Sequence, residues 1–312
     1  MKTFSMPGTN LTVPQVVLGT MRINTLDDDA IRTLFNGAMD QGINFFDHAA
    51  LYGGAPHVCE TRFAQAMKLT PSQRDGITLQ TKCGIVNSSQ GTRFDFSYNE
   101  ITTSVEASLK ALQTDHIDIL LLHRPDGLVE PEEVARAFDE LQAAGKVRYF
   151  GVSNHTPAQI ELLKKAVKQP LVANQIQISL THCPSIAQGI AGNMSWAEQS
   201  IGRDGGMVDY ARLHDMTLQA WSPFQNPGWS GTFIGNPEQP ELNAVLTRMA
   251  AQYKTTPTGI ATAWLTRHPA RMQVVAGTMN PGRLSEIVQG SGVPLTKADW
   301  YELFVAAGHL MP

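Results

Sequence analysis

Asn44-Phe45-Phe46-Asp47-His48-Ala49-Ala50-Leu51-Tyr52-Gly53 is the stretch on which the reading of this 312-residue chain turns. An apolar run ends on an aspartate, and a tyrosine follows five residues later beside Gly53 and Gly54. This pattern predicts a buried strand running into a tight loop that brings a carboxylate and a phenol together. A phenol with its ordinary pKa of ~10 is a poor proton donor at neutral pH unless a neighbouring cation lowers that value. Lys82, which ends the apolar run Thr78-Leu79-Gln80-Thr81-Lys82, is the candidate cation. A third run, Ile117-Asp118-Ile119-Leu120-Leu121-Leu122-His123, ends on a histidine.

Composition narrows the class. A chain of this length that is 42% hydrophobic and 17% charged suits a globular enzyme with a large core rather than a disordered chain. Its formal net charge of −4 gives no basis for a nucleic-acid or anionic-membrane partner. The longest apolar runs are strand-sized, so no transmembrane helix is expected. Residues 1–7 lack the apolar core of a signal peptide. Cys59, Cys83 and Cys183 are odd in number and widely spaced. They predict reduced thiols and a cytoplasmic setting, with neither a disulfide framework nor a zinc site. His57 and His182 add no metal-ligand spacing.

Outward from the opening stretch, strand-like and helical patterns alternate. Residues 2–6 and 11–13 flank Pro7-Gly8-Thr9-Asn10 and read as a β-hairpin. Val16-Val17-Leu18-Gly19 is the first buried strand. Asp27-Asp28-Asp29 opens an amphipathic helix through Ile31, Leu34, Phe35 and Ala38, closed by Gly42. Residues 61–67 read as helical, and 98–112 as a helix with Ile101, Val105, Leu109 and Leu112 on one face. Past the His123 strand come a helix from Pro131 to Gly145, a strand over 148–153, a helix from Pro157 through Val167 and a strand over 171–175. Helices over 208–213, 242–253 and 258–266, strands over 217–221 and 272–276, a helix from Pro281 and a terminal helix over 297–307 complete the pattern. Segments 83–97, 181–206 and 224–240 have no clear period and are expected to be irregular loops.

Eight apolar strands alternating with helices, without a break in composition, predict one parallel α/β domain over residues 1–312. The number points to a (β/α)8 TIM barrel carrying an N-terminal β-hairpin, with its site at the carboxyl ends of the strands. Asp47, Lys82, His123, Ser153, Gln175 and Trp221 then ring one mouth, and the three irregular loops leave carboxyl ends where they can cover a substrate. A doubly wound sheet would bring Gly-x-Gly-x-x-Gly after its first strand, and the chain has none. It also lacks a Gly-x-Ser-x-Gly elbow and a His-Glu-x-x-His pair. Strand alternation turns His48 and Cys83 to the opposite face, where they pack.

At this point the residues carry a family resemblance. The sequence resembles the aldo-keto reductase superfamily over nearly its whole length. The resemblance rests on Asn44-Phe45-Phe46-Asp47 through Tyr52-Gly53, Thr81-Lys82, Ile119-Leu120-Leu121-Leu122-His123, Gly151-Val152-Ser153-Asn154, Asn174-Gln175, Trp221-Ser222-Pro223 and Gly277-Thr278-x-Asn280-x-x-Arg283-x-x-Glu286. Each motif is weak singly; the ordered set at predicted strand ends is specific. The run His123-Arg124-Pro125-Asp126 is most similar to the short-looped bacterial oxidoreductase members.

The resemblance implies a barrel that reduces aldehydes or ketones with NADPH and no metal. It implies Tyr52 as general acid, Lys82 lowering the Tyr52 pKa, Asp47 holding Lys82, and His123 orienting and polarising the carbonyl. It places NADP(H) against Gly19, Thr20, Asp47, Ser153, Asn154, Gln175, Trp221, Ser222, Pro223, Gly277, Thr278, Asn280, Arg283 and Glu286, with the Arg283 guanidinium on a 2′-phosphate. The chain departs from many members at Gly277, where they carry lysine, and at Trp221, where they carry tyrosine. The carbonyl substrate would meet Tyr52 and His123, with Phe224 and Trp229 lining an apolar pocket. The competing class is an NADP-binding redox-sensing or partner-regulating barrel protein with slow turnover, like the potassium-channel β-subunits that resemble this family. The oligomeric state is not specified.

Overall fold

Apolar runs too short for core helices, alternating with helical segments, set the architecture. The computed structural model describes residues 1–312, apart from the side chain of Trp229. An antiparallel hairpin of β1 (Thr3–Ser5) and β2 (Thr12–Pro14) leads into β3 (Val16–Gly19), α1 (Asp28–Asp40), β4 (Phe45–Asp47), α2 (Val58–Met67), α3 (Pro71–Asp75) and β5 (Thr78–Cys83). A second hairpin, β6 (Ile85–Ser88) and β7 (Gly91–Phe94), precedes α4 (Tyr98–Leu112), β8 (Ile117–Leu122), α5 (Pro131–Ala143), β9 (Val147–Ser153), α6 (Pro157–Lys164) and β10 (Leu171–Gln177). Then come α7 (Pro184–Ile190), α8 (Met207–Leu213), β11 (Thr217–Trp221), α9 (Pro240–Tyr253), α10 (Pro257–Arg267), β12 (Met272–Ala276), α11 (Pro281–Gly290) and α12 (Lys297–Ala306).

Among the described residues, the eight strands β3, β4, β5, β8, β9, β10, β11 and β12 pair in parallel, each with the next, and β12 returns to β3. Parallel neighbours cannot be joined by a tight turn, so each step needs a crossover, and helices supply it. The result is the expected (β/α)8 barrel with an N-terminal hairpin.

Local chemistry starts and stops the helices where the pattern predicts. Asp27 caps α1 by accepting from Ala30 N, Asp28 and Asp29 suit the positive end of its dipole, and Ile31, Leu34, Phe35 and Ala38 are buried against the barrel. Ser97 caps α4, whose buried stripe includes Ile101, Val105, Leu109 and Leu112. Asn280 caps α11 by accepting from Arg283 N, with Pro281 in the first turn. That cap sets the direction in which Arg283 leaves the barrel rim.

Strand alternation sorts residues between two cores. Phe46, Leu79, Cys83, Leu120 and Leu122 face outward into the layer beneath the helices. Phe45, Val17, Ile119, Leu121 and Val275 face inward, where Met6 and Val13 of the N-terminal hairpin join them. The hairpin thus packs on the inner core at the amino ends of the strands, and the open mouth is left at the carboxyl ends. His48 and Cys83 are buried on the outward face, His48 against the Phe63 ring and the Thr20 hydroxyl, as alternation predicts.

The expected loops are partly regular, segment 224–240 through a 3-10 turn at Pro227–Trp229. Segment 83–97 contains the β6–β7 hairpin, whose short strands, β7 exposed throughout and β6 half-buried only at Ile85 and Val86, carry no apolar alternation to betray them. Segment 181–206 contains α7 and a short 3-10 turn at Glu198–Ser200, both too brief and polar to register as a period. Helix α3, five residues with a Thr70–Gln73 capping box, also went unread. No helix is long and apolar enough to cross a membrane among the described residues.

Candidate active site

The site starts with register. Asp47 ends β4, opposite Gly19 of β3 on one side and Gln80 of β5 on the other. Past Asp47 the chain stays tied to β5, because His48 N donates to Gln80 O and Ala50 N to Lys82 O. It then turns through Tyr52, whose N–H donates to Ala49 O and whose carbonyl accepts from Cys59 N at the start of α2. Gly53 makes this turn possible. Its φ is +96°, and a Cβ there would sit 2.8 Å from Val58 Cγ1.

The turn delivers the phenol onto a buried ammonium. Lys82 Nζ lies 2.7 Å from both Asp47 carboxylate oxygens, 2.8 Å from His48 O and 2.9 Å from Tyr52 Oη. The Lys82 side chain is fully buried and that of Asp47 almost so. The His123 ring stands edge-on to the Tyr52 ring at 5.9 Å between centroids. Four side chains distant in sequence therefore meet at one rim.

Charge states follow from burial and partners. Burial alone would lower the Lys82 pKa, but Asp47, aided by Tyr52, more than offsets it, and the ammonium is held above its ordinary value. Burial raises the Tyr52 phenol, and Lys82 opposes that rise without overcoming it. This reverses the direction expected from the sequence, because the depth of burial outweighs the nearby cation. The phenol is protonated at neutral pH. Burial first, then Lys82 and Arg124, hold His123 well below its usual range, so its ring is neutral.

Beneath the rim lies a polar lattice that the sequence reading missed. Gln80 Nε2 donates to Asp47 Oδ1 at 2.6 Å and to Gln219 Oε1 at 2.9 Å. Gln175 Nε2 donates to the same two oxygens at 3.0 and 3.1 Å. Gln219 Nε2 returns a bond to Gln80 and reaches Gln273, whose amide donates to Pro14 O. These glutamines fill the barrel interior and satisfy one another, so Asp47 is fixed by two amides as well as by Lys82. The available signal was an inward glutamine on each of four strands, Gln80 on β5, Gln175 on β10, Gln219 on β11 and Gln273 on β12.

A cavity of about 800 Å³ opens above this lattice. Of the residues expected at the site, Gly19, Asp47, Tyr52, His123, Ser153, Asn154, Gln175, Trp221, Ser222, Pro223, Phe224, Gly277, Thr278, Asn280 and Arg283 line it. Lys82 sits just beneath, behind Tyr52 and Asp47. Two expected cofactor residues do not line it. Thr20 is fully buried, bonded to Asp47 O and to His48 Nδ1. Glu286 is instead the acceptor for the Thr256 hydroxyl at 3.3 Å. Trp229 lies outside the described side chains. Segment 224–240 reaches the cavity through Phe224, Gln225, Thr232 and Ile234, whereas segments 83–97 and 181–206 contribute no lining residue among those described.

Two non-glycine residues at the cavity wall, Asn154 and Ser222, have left-handed backbones, with φ of 61° and 49°. Such strain collects where the fold over-determines a site. Asn154 Nδ2 donates to His123 O and Ser153 Oγ, and its Oδ1 accepts from Trp221 Nε1 at 3.0 Å, which joins three strand ends. Arg22 and Arg124 also line the cavity and were given no role from sequence. Arg22 donates to Gly277 O at 2.5 Å. Among the described residues, no group of three or more His, Cys, Asp or Glu side chains is arranged to hold a metal ion.

Comparison with known proteins agrees with this architecture. The aldo/keto reductase family model matches residues 15–304. The chain is 34% identical over 309 residues to a 6-dehydroglucose reductase of Agrobacterium fabrum, covering 95% of each chain. It is 32% identical over 273 residues to the oxidoreductase YdhF of Escherichia coli, covering 86% of this chain and 84% of that one. A thermostable aldo-keto reductase solved with the inhibitor epalrestat superposes with a TM-score of 0.77 at 22% identity, covering 98% of this chain and 100% of that one, a likeness of fold. Matched along nearly its whole length, the chain belongs to the aldo/keto reductase family of oxidoreductases.

Proposed function

We propose that the protein reduces the carbonyl of an aldehyde or ketone to an alcohol, with NADPH as hydride source and Tyr52 as proton donor. The observation that carries this reading is the buried chain Asp47–Lys82–Tyr52, with contacts of 2.7 and 2.9 Å, ending at the cavity floor beside His123.

The side chains present suit such a cofactor. Arg22, Arg283 and the amino end of α11 suit phosphate oxygens. Arg22 supplies a cation beside Gly277, where many family members carry lysine. Ser153, Asn154 and Gln175 suit a carboxamide. The Gln175 amide nitrogen is engaged with Asp47 and Gln219, and its side-chain carbonyl remains available to accept. The half-buried Trp221 ring, braced by Asn154, offers a flat face for stacking. A bound nicotinamide would supply the hydride, which no side chain can.

The protein's own residues do the rest. Tyr52 holds its proton at neutral pH, burial raising its pKa further, and gives it up as negative charge develops on the substrate oxygen. Lys82 stabilises the phenolate left behind, at 2.9 Å and without solvent reorganisation. Asp47 neutralises Lys82 and fixes its position. Neutral His123 offers a ring N–H to the same substrate oxygen.

The test is loss of NADPH absorbance against a panel of aldehydes, ketones and diketones. Turnover on members of the panel is expected. Tight NADPH binding with no turnover on any of them would contradict the reading and favour a cofactor-sensing role.

A further inference from the structure

The cavity wall holds one cation to which the cofactor reading above gives no role. Its charged lining residues are Arg22, Arg124, Arg283 and Asp47. Asp47 is already matched, since both its oxygens take the Lys82 ammonium. The chain as a whole is acidic, at −4, so this cluster of arginines is local placement and not bulk composition. Arg22 and Arg283 are assigned above to the cofactor. Arg124 is left over.

Arg124 directly follows His123 and shares the cavity wall with Tyr52, His123 and Trp221. Its guanidinium carbon lies 5.5 Å from the centroid of the Trp221 ring. It has no hydrogen bond and no ion pair among the described residues. The nearby Asp126 is no partner, because its oxygens accept from Phe96 N and Leu128 N. Exposed arginines such as Arg32, Arg136 and Arg248 each find a carboxylate, whereas this half-buried one does not. A guanidinium stays charged and carries five donors in a fixed fork, and leaving it partly desolvated without an anion is unfavourable. The Trp221 ring, within cation–π range, satisfies none of the guanidinium's N–H donors. Burial lowers the Arg124 pKa and Tyr52 opposes that, so the two groups are electrostatic neighbours.

Building on the reductase reading above, we propose that Arg124 determines substrate class by binding the carboxylate of an anionic carbonyl compound, a keto acid or a semialdehyde acid, while its carbonyl oxygen meets Tyr52 and His123. The fork of the guanidinium matches a carboxylate bidentately, and a neutral substrate leaves that charge unanswered.

The experiment compares meta-carboxybenzaldehyde with its amide, and succinic semialdehyde with its N,N-dimethylamide, which cannot cyclise on the aldehyde, using NADPH and the full chain. Each pair differs chiefly in charge, and the two pairs span different separations of carbonyl and carboxylate. For at least one pair, wild-type kcat/KM is expected to favour the acid by about 10–100-fold, the range for a hydrogen bond to a charged group. Arg124→Gln should bring that ratio near one, mainly through KM, and Arg124→Lys should restore part of it. A wild-type ratio near one for both pairs overturns the proposal, as does a ratio unchanged in Arg124→Gln. If the variants do not fold, inhibition of the wild type by benzoate against benzamide decides, with stronger inhibition by benzoate expected and equal inhibition contradicting the proposal. Were no carbonyl reduced at all, the reductase reading would fail instead. Calorimetric titration of the NADP-loaded protein with the same acid and amide pairs would then still test Arg124 alone, tighter binding of the acids being expected and equal binding overturning the proposal.

Discussion

Lys82→Met is the perturbation whose size the structure fixes best. The substitution keeps the aliphatic stem and deletes an ammonium that contacts Asp47 twice at 2.7 Å, His48 O at 2.8 Å and Tyr52 Oη at 2.9 Å. What remains is an Asp47 carboxylate with almost no exposure. Breaking a buried ion pair in this way costs about 3–5 kcal/mol. Two amides, from Gln80 at 2.6 Å and Gln175 at 3.0 Å, still solvate the stranded charge, which moves the expectation to the low end, ~3 kcal/mol. Adding Asp47→Asn removes the charge and keeps an acceptor for those amides. The double variant should therefore be more stable than Lys82→Met alone, by about 1–2 kcal/mol of coupling. Urea unfolding followed by circular dichroism reads both numbers, provided the slope is unchanged between variants. A Lys82→Met protein within ~1 kcal/mol of wild type, or a double variant no more stable than that single one, would refute the reasoning that the pair is a mutually dependent buried unit.

Other outcomes follow from named groups. Arg283→Ala should weaken NADPH binding far more than NADH binding in a fluorescence titration; equal losses would remove Arg283 from 2′-phosphate recognition. His48 and His155 are lowered to about 4, chiefly by burial, against ~6.5 in the unfolded chain. The folded state thus binds fewer protons between these values, so their contribution to stability is whole above pH ~6.5 and is lost as pH falls toward about 4, at up to ~1.4 kcal/mol per pH unit for each ring. Urea midpoints should drop on acidification through this window, and a flat profile would contradict the burial of neutral imidazoles. Gly290→Ala would place a Cβ 2.4 Å from Gly259 O, where α11 meets α10, and should lower stability by about 1–3 kcal/mol; an unchanged melting temperature would mean the two helices are not that close.

The barrel was legible because parallel strands are buried on both faces and read as continuous apolar runs, as in Ile117–Leu122. Lys82 stood out for a related reason, since lysine is almost never buried without a partner. Exposed strands such as Gly91–Phe94 leave no such trace. The direction of the Tyr52 pKa was misread because it is a contest between desolvation and a cation, and depth of burial is a property of the closed barrel. Thr20 and Glu286 share motifs with cavity residues but face other partners, because side-chain direction at strand ends and on helices is set by packing. Arg124 stands in the quoted run 123–126 and Arg22 follows the first barrel strand, and only the folded cavity reveals that both reach it. The glutamine lattice was hardest to see, since its members belong to four separate strands and acquire meaning only when the barrel brings them within 3.1 Å.

The most direct measurement is single-turnover reduction of an accepted carbonyl by NADPH in wild-type and Tyr52→Phe protein, with cofactor affinity measured alongside. Loss of the phenolic proton donor should slow the step by about 10²–10⁴-fold while NADPH binds within a few-fold of wild type. Reduction at an undiminished rate by Tyr52→Phe would show that the proton comes from elsewhere.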